Sequence, residues 1–130
     1  GIVDGVEIIA DRSRFSPSGT DRSVDFHVAT AIRGTVEDWE IVMTGHDGSL
    51  VKIINGQGHP PEIVNWIGDD NNGRLIRDGT YKATVTITDD LGAEWNSSTD
   101  VAILGFRNRT KTPMRIDISG SDNRDKPEDK

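Results

Sequence analysis

The segment Tyr81-Lys82-Ala83-Thr84-Val85-Thr86-Ile87-Thr88 alternates without a break. Tyr81, Ala83, Val85 and Ile87 fall on one side of an extended chain, and Lys82, Thr84, Thr86 and Thr88 fall on the other. A period of two is the geometry of a β-strand with one face in a core and one in water. The Val, Ile and Thr residues add the branched side chains that pleated surfaces favour. Asp78-Gly79 precedes the segment and Asp89-Asp90-Leu91-Gly92 follows it. Both are turn chemistry, so the reading is a core strand held between two turns.

The same period recurs outward from this strand. Val24, Phe26 and Val28 share one face and Asp25 and His27 the other; Trp39, Ile41 and Met43 likewise point one way. Gly45-His46-Asp47-Gly48 predicts the turn of a hairpin into a strand over residues 50–54, because Asp-Gly tolerates positive φ. Residues 55–62 read as a loop, since Pro60 and Pro61 carry no ladder donors. Further strands are expected at residues 6–9, 63–67, 95–104 and 114–118, with a turn at 69–73. No stretch carries an apolar stripe of helical period. Roughly seven to nine short antiparallel strands separated by turns indicate an all-β sandwich or barrel.

The bulk composition agrees. The chain has 130 residues, suited to one core, with 33% hydrophobic residues, 14 Gly and 5 Pro. A net charge of −7 disfavours nucleic acid as a partner. The cluster Arg107, Arg109, Lys111 and Arg115 reads as a solvated strand end. Cysteine is absent, which excludes disulfides and thiolate metal sites. No apolar run approaches the ~20 residues that span a bilayer, so direct membrane insertion is not expected. The chain enters a strand almost at once, which predicts a module cut from a longer protein. Residues 1–118 are expected to form the sandwich, and the polar residues 119–130 a disordered tail or linker.

Several segments occur in an order that resembles a bacterial family. Phe15-Ser16-Pro17-Ser18-Gly19 is similar to that family's opening motif, and Trp39-Glu40-Ile41 with Asp47-Gly48 resembles its hairpin. Gly56-Gln57-Gly58-His59-Pro60-Pro61, then Ile63 and Asn65-Trp66-Ile67-Gly68, resembles its central segment. Asp78-Gly79-Thr80-Tyr81 and Thr88-Asp89-Asp90-Leu91-Gly92 resemble its closing turns. The family is the immunoglobulin-like domain of flagellar hook-cap (FlgD-type) proteins, and the resemblance covers about residues 6–105. Similar domains occur in gliding-motility C-terminal regions and in spirochaetal envelope proteins, where they can precede an OmpA-like domain. The resemblance implies an immunoglobulin-like sandwich without catalysis, a periplasmic or cell-surface location, and neighbouring domains or envelope proteins as partners. It departs at Ser18-Gly19-Thr20-Asp21, where the family's acidic residues are displaced, and at Ile67, where the family carries Asp. A cation site at those positions is therefore not implied.

No constellation points to an enzyme. His27, His46 and His59 have no metal-ligand spacing, and no serine sits in a nucleophile elbow. Gly56 and Gly58 lack the third glycine and lysine of a phosphate loop. No cofactor is expected, with calcium as the one alternative. Asp69, Asn71 and Asp78 are its oxygen-ligand candidates, and Asp21 and Asp25 form a second group. The same Asx-rich run also serves turns, where side-chain oxygens satisfy backbone donors. Tyr81, just after a turn, suits either a tyrosine corner or an ordinary core position. For binding, the candidates are Trp95, His59, Asp70 and Asn72. Trp95, between Glu94 and Asn96, is the aromatic expected to be most exposed, so carbohydrate or peptidoglycan recognition stands beside protein docking. Asn96-Ser97-Ser98 and Asn108-Arg109-Thr110 fit the glycosylation sequon, relevant only in a eukaryotic secreted protein.

Overall fold

The computed structural model describes residues 5–105. The strand expected at residues 114–118, the tail at 119–130, the basic cluster from Arg107 to Arg115 and the sequon at Asn108 lie outside the described residues. Eight strands form two sheets. They are β1 (Gly5–Ala10), β2 (Arg14–Phe15), β3 (Val24–Ala31), β4 (Val36–Thr44), β5 (Leu50–Gln57), β6 (Ile63–Trp66), β7 (Gly79–Asp89) and β8 (Glu94–Ile103). One sheet runs β1-β3-β6 and the other β2-β8-β7-β4-β5. All pairings are antiparallel except the short β2–β8 contact. No described helix is long and apolar enough to cross a membrane.

The alternating faces assemble as the sequence predicts. Ala83, Val85 and Ile87 of β7 are fully buried, as are Ile41 and Met43 of β4 and Val24 and Phe26 of β3. Val101 and Ile103 close the core from β8. Trp66, 1% exposed, lies between the sheets and meets Phe15 edge-on at 5.9 Å, Phe26 stacked at 6.3 Å and Tyr81 edge-on at 6.1 Å. Edge-on and offset rings bring the positive rim of one ring to the negative face of another. Gly68 stands beside this cluster at φ +81°, where a Cβ would lie 3.0 Å from Ile103 Cδ1.

Two expectations need correction. Residues 55–57 belong to β5 rather than to a loop, because Asn55, Gly56 and Gln57 continue the ladder opposite Glu40, Trp39 and Asp38. Glycine disfavours strands in isolation, but here its bare Cα admits the Trp39 ring: a Cβ on Gly56 would sit 2.8 Å from Trp39 Nε1. The stretch around Phe15 also contains an unexpected two-residue strand, β2, which carries Phe15 into the core against Ile103.

Candidate docking surface

The connection from β6 to β7 is fastened residue by residue. Trp66 Nε1 donates to the Asp69 carbonyl at 3.0 Å, so the core aromatic also fixes where the loop leaves the sheet. Asp69 is buried, and its carboxylate meets Lys52 Nζ at 2.8 Å. Lys52 occupies an inward position of β5, opposite Met43. A cation there needs an anion close by, since leaving either charge alone in a dry site is costly. Asp70 Oδ1 accepts from the backbone N–H of Asn72 and of Arg74, both at 2.9 Å. The Arg74 amide, with a lesser share from that of Asn72, holds the Asp70 carboxyl below its ordinary range, against an opposing cost of desolvation.

Asn71 docks on β5: its N–H donates to Val51 O at 3.1 Å, and its Oδ1 accepts from Ile53 N–H at 3.0 Å. At the far end of the loop the Tyr81 hydroxyl donates to Arg77 O at 2.6 Å. Asp78 Oδ2 accepts from Gly105 N–H at 3.1 Å, tying the loop to the end of β8.

Between this loop and the β4–β5 turn lies an open groove of about 620 Å³. Val51, Leu75 and Ile76 give it apolar walls, and its rim carries both signs of charge, including Asp47, Arg74 and Arg77. Asp47 Oδ1 accepts from Ser49 Oγ at 2.7 Å and from Ser49 N–H at 3.0 Å, which lowers its carboxyl pKa. A mixed rim around apolar walls suits contact with a protein surface rather than with a uniformly charged polymer.

The structure divides the residues singled out from sequence. Asp69, Asp70, Asn71, Asn72 and Asp78 gather in the one loop. One side-chain oxygen on each of Asp69, Asp70, Asn71 and Asp78 is engaged, by Lys52, backbone amides, Ile53 and Gly105 respectively. In the second group, Asp21 pairs with Arg12 at 3.1 Å and Asp25 accepts from Asn65 at 2.9 Å. Among the described residues no three His, Asp or Glu side chains converge as a metal site.

Trp95 and His59 lie toward the other end of the molecule. Trp95 pairs with Ile87, six residues along β7 from Tyr81 and so about 20 Å away. Its ring is half-buried against the core, whereas Trp39 and Trp66 are core residues. His59 is exposed, with Nδ1 2.9 Å from Pro60 O and Nε2 2.8 Å from Thr30 Oγ1. Because a carbonyl only accepts, Nδ1 carries the proton and Nε2 accepts from the threonine. Sequence reasoning missed Lys52, Val51, Leu75 and Arg74. A lysine at an inward position of an otherwise apolar strand was the available signal for the first.

The strand plan now carries a diagnostic set. The buried Trp39 sits on β4, one strand in from the β5 edge of the larger sheet, and Tyr81, near the start of the adjacent central strand β7, returns its hydroxyl to the backbone four residues upstream. These are the marks of one sandwich class. The chain is an immunoglobulin-like β-sandwich. Solved structures share the fold. Dimeric latent PorU from Porphyromonas gingivalis matches at 16% identity and TM-score 0.61, over 79% of this chain and 10% of that one. A tetra-tandem repeat from the extending region of a large adhesion protein matches at 16% identity and TM-score 0.53, over 78% of this chain and 24% of that one. FlgD from Xanthomonas campestris is 28% identical over 53% of this chain and 51% of its own, at a TM-score of 0.41 too low to argue from. The sandwich thus spans about a tenth of PorU and about a quarter of the repeat structure. No family model and no curated protein matches it.

Proposed function

We propose that this chain is a non-enzymatic spacer or docking module of a bacterial extracytoplasmic protein, of the FlgD-type immunoglobulin-like kind. In this reading residues 1–118 form the module and 119–130 lead away from it. The ordered motif set over residues 6–105 supports the family, and the likeness to a tandem repeat in an adhesion protein is in keeping with a spacer. One observation carries the docking role: the β6–β7 loop is anchored at Asp69, Asn71, Asp78 and Tyr81, yet keeps its groove open. A loop held in advance loses little entropy when a partner arrives. The partner in this reading is a neighbouring domain or envelope protein, and no cofactor takes part.

The test is a heteronuclear NMR titration of the chain with the domains that adjoin it in its full-length protein. Shifts confined to residues 45–49 and 70–78 are expected. A uniform or flat response overturns the docking role.

A further inference from the structure

The five-stranded sheet ends in β5, and the two halves of that edge are treated differently. Antiparallel pairing points alternate residues toward β4 and away from it. Val51 O and Ile53 N–H face away, since both bond Asn71. Gly58 N–H faces β4, donating to Glu37 O at 2.7 Å. The alternation therefore sends the backbone groups of Asn55 and Gln57 outward, past the point where Asn71 stops. Asn71 already shows what this edge accepts: one residue giving an N–H and receiving one, as a further strand would.

The open half lacks the guards that sheet edges carry. From Ile53 to Gly58 the sequence is Ile-Ile-Asn-Gly-Gln-Gly, with no charge and no proline. Taken whole, β5 is the longest edge strand, with eight residues against six in β1, four in β6 and two in β2. On the outer face beside it, Glu40 stands opposite Asn55 and Asp38 opposite Gln57. Both acids are exposed, and neither is ion-paired with another described residue. A strand laid along the edge places alternate side chains next to Asn55 and Gln57, within reach of these carboxylates for a long cationic residue.

We infer that the Asn55–Gln57 edge of β5 accepts an extended, basic segment of a partner polypeptide by strand addition. Backbone hydrogen bonds hold the segment, and Asp38 and Glu40 select for lysine or arginine on its outward side. The inference is independent of the groove, because the edge lies on β5 beyond Asn71 and uses none of the rim residues.

The test uses the chain as it stands and a fluorescein-labelled nine-residue peptide of alternating valine and lysine, followed by fluorescence anisotropy and amide NMR. Saturable binding is expected, with new protection from exchange at the Asn55 and Gln57 amides. Asn55→Pro removes an outward N–H without touching the ladder to β4, and should weaken binding at least about tenfold. The same peptide N-methylated at alternate amides reports on the backbone bonds without altering the protein. Methylation on the edge-facing set should abolish binding, and on the opposite set should leave it intact. A peptide of valine and glutamate should bind at least about tenfold more weakly. Protection at β1 or β6 instead, indifference to N-methylation, or no binding at millimolar peptide overturns the inference. Sedimentation of the unliganded chain as a dimer that Asn55→Pro dissociates also overturns it, in favour of a second copy as occupant.

Discussion

The Tyr81 hydroxyl donates to the Arg77 carbonyl at 2.6 Å, so the strand that anchors the core also anchors the loop that precedes it. Tyr81→Phe keeps the ring against Trp66 and deletes only this bond. The expected cost is about 1 kcal/mol in urea unfolding at neutral pH. Burial, aided by the nearby Asp78 charge, raises the Tyr81 pKa above its ordinary value of 10.0. A raised folded-state pKa means that its contribution is complete below pH ~10 and is lost as pH climbs through the raised value. Stability should fall on that alkaline limb, and the Phe variant should show a shallower fall. Identical limbs would refute the assignment.

At the acid end Asp70 has the opposite sign. Its carboxyl pKa is lowered by the Arg74 and Asn72 amides. Its contribution is present above the unfolded value of about 3.9 and lost as pH drops through the depressed one. Asp70→Asn keeps an oxygen for both amides but cannot titrate. Acid denaturation followed by circular dichroism should be less steep for that variant between pH 5 and 2.

Much of the fold was legible because period-two patterning reports directly which residues face a core. Residues 39–43 and 81–88, and the turns around them, are where the alternation places them. What was illegible depended on partners far along the chain. Asn55, Gly56 and Gln57 have poor strand propensity and pair only because β4 presents Trp39 to a residue without a side chain. The loop candidates were legible as a cluster, but residue type alone does not say which oxygens turn inward. Asp69 has its cation 17 positions away on another strand. Trp95 is the least buried of the three tryptophans, as its polar sequence neighbours imply, but its face of β8 is the one that holds Val101 and Ile103, which those neighbours do not reveal.

Two glycines should not tolerate a methyl group. Gly56→Ala forces a Cβ within 2.9 Å of Trp39 Cζ2, and Gly68→Ala adds a clash with Ile103 to a strained φ of +81°. Each should cost about 1–3 kcal/mol. In Gly56→Ala the displaced indole should also shift the tryptophan emission maximum. An unaltered spectrum and midpoint would contradict the close packing described for Trp39.

Lys52 and Asp69 have side chains only 23% and 12% exposed, so each depends on the other. Asp69→Ala should destabilise by about 2 kcal/mol by stranding the ammonium group. Lys52→Met combined with Asp69→Ala should cost less than the two single changes added together, with a coupling of about 1–2 kcal/mol in a double-mutant cycle. Strict additivity would show the pair to be incidental.

Calcium is expected to leave the melting temperature unchanged relative to chelator, because each loop carboxylate already has one oxygen tied to a cation or amide and no three His, Asp or Glu side chains converge among the described residues. A rise in calcium that Asp70→Asn removes would reinstate a calcium site.

The two ends of the described chain leave the sandwich at opposite poles. Gly5 pairs with Ala31 at the far end of β3, whereas Ile103 pairs with Gly79 at the start of β7, beside the groove. Tension applied through Gly5 and Gly105 therefore runs parallel to β1 and β8. It loads their ladders to β3 and β7 in shear, so that several hydrogen bonds must fail together rather than one after another. A sandwich threaded this way transmits a pull along its length with little extension.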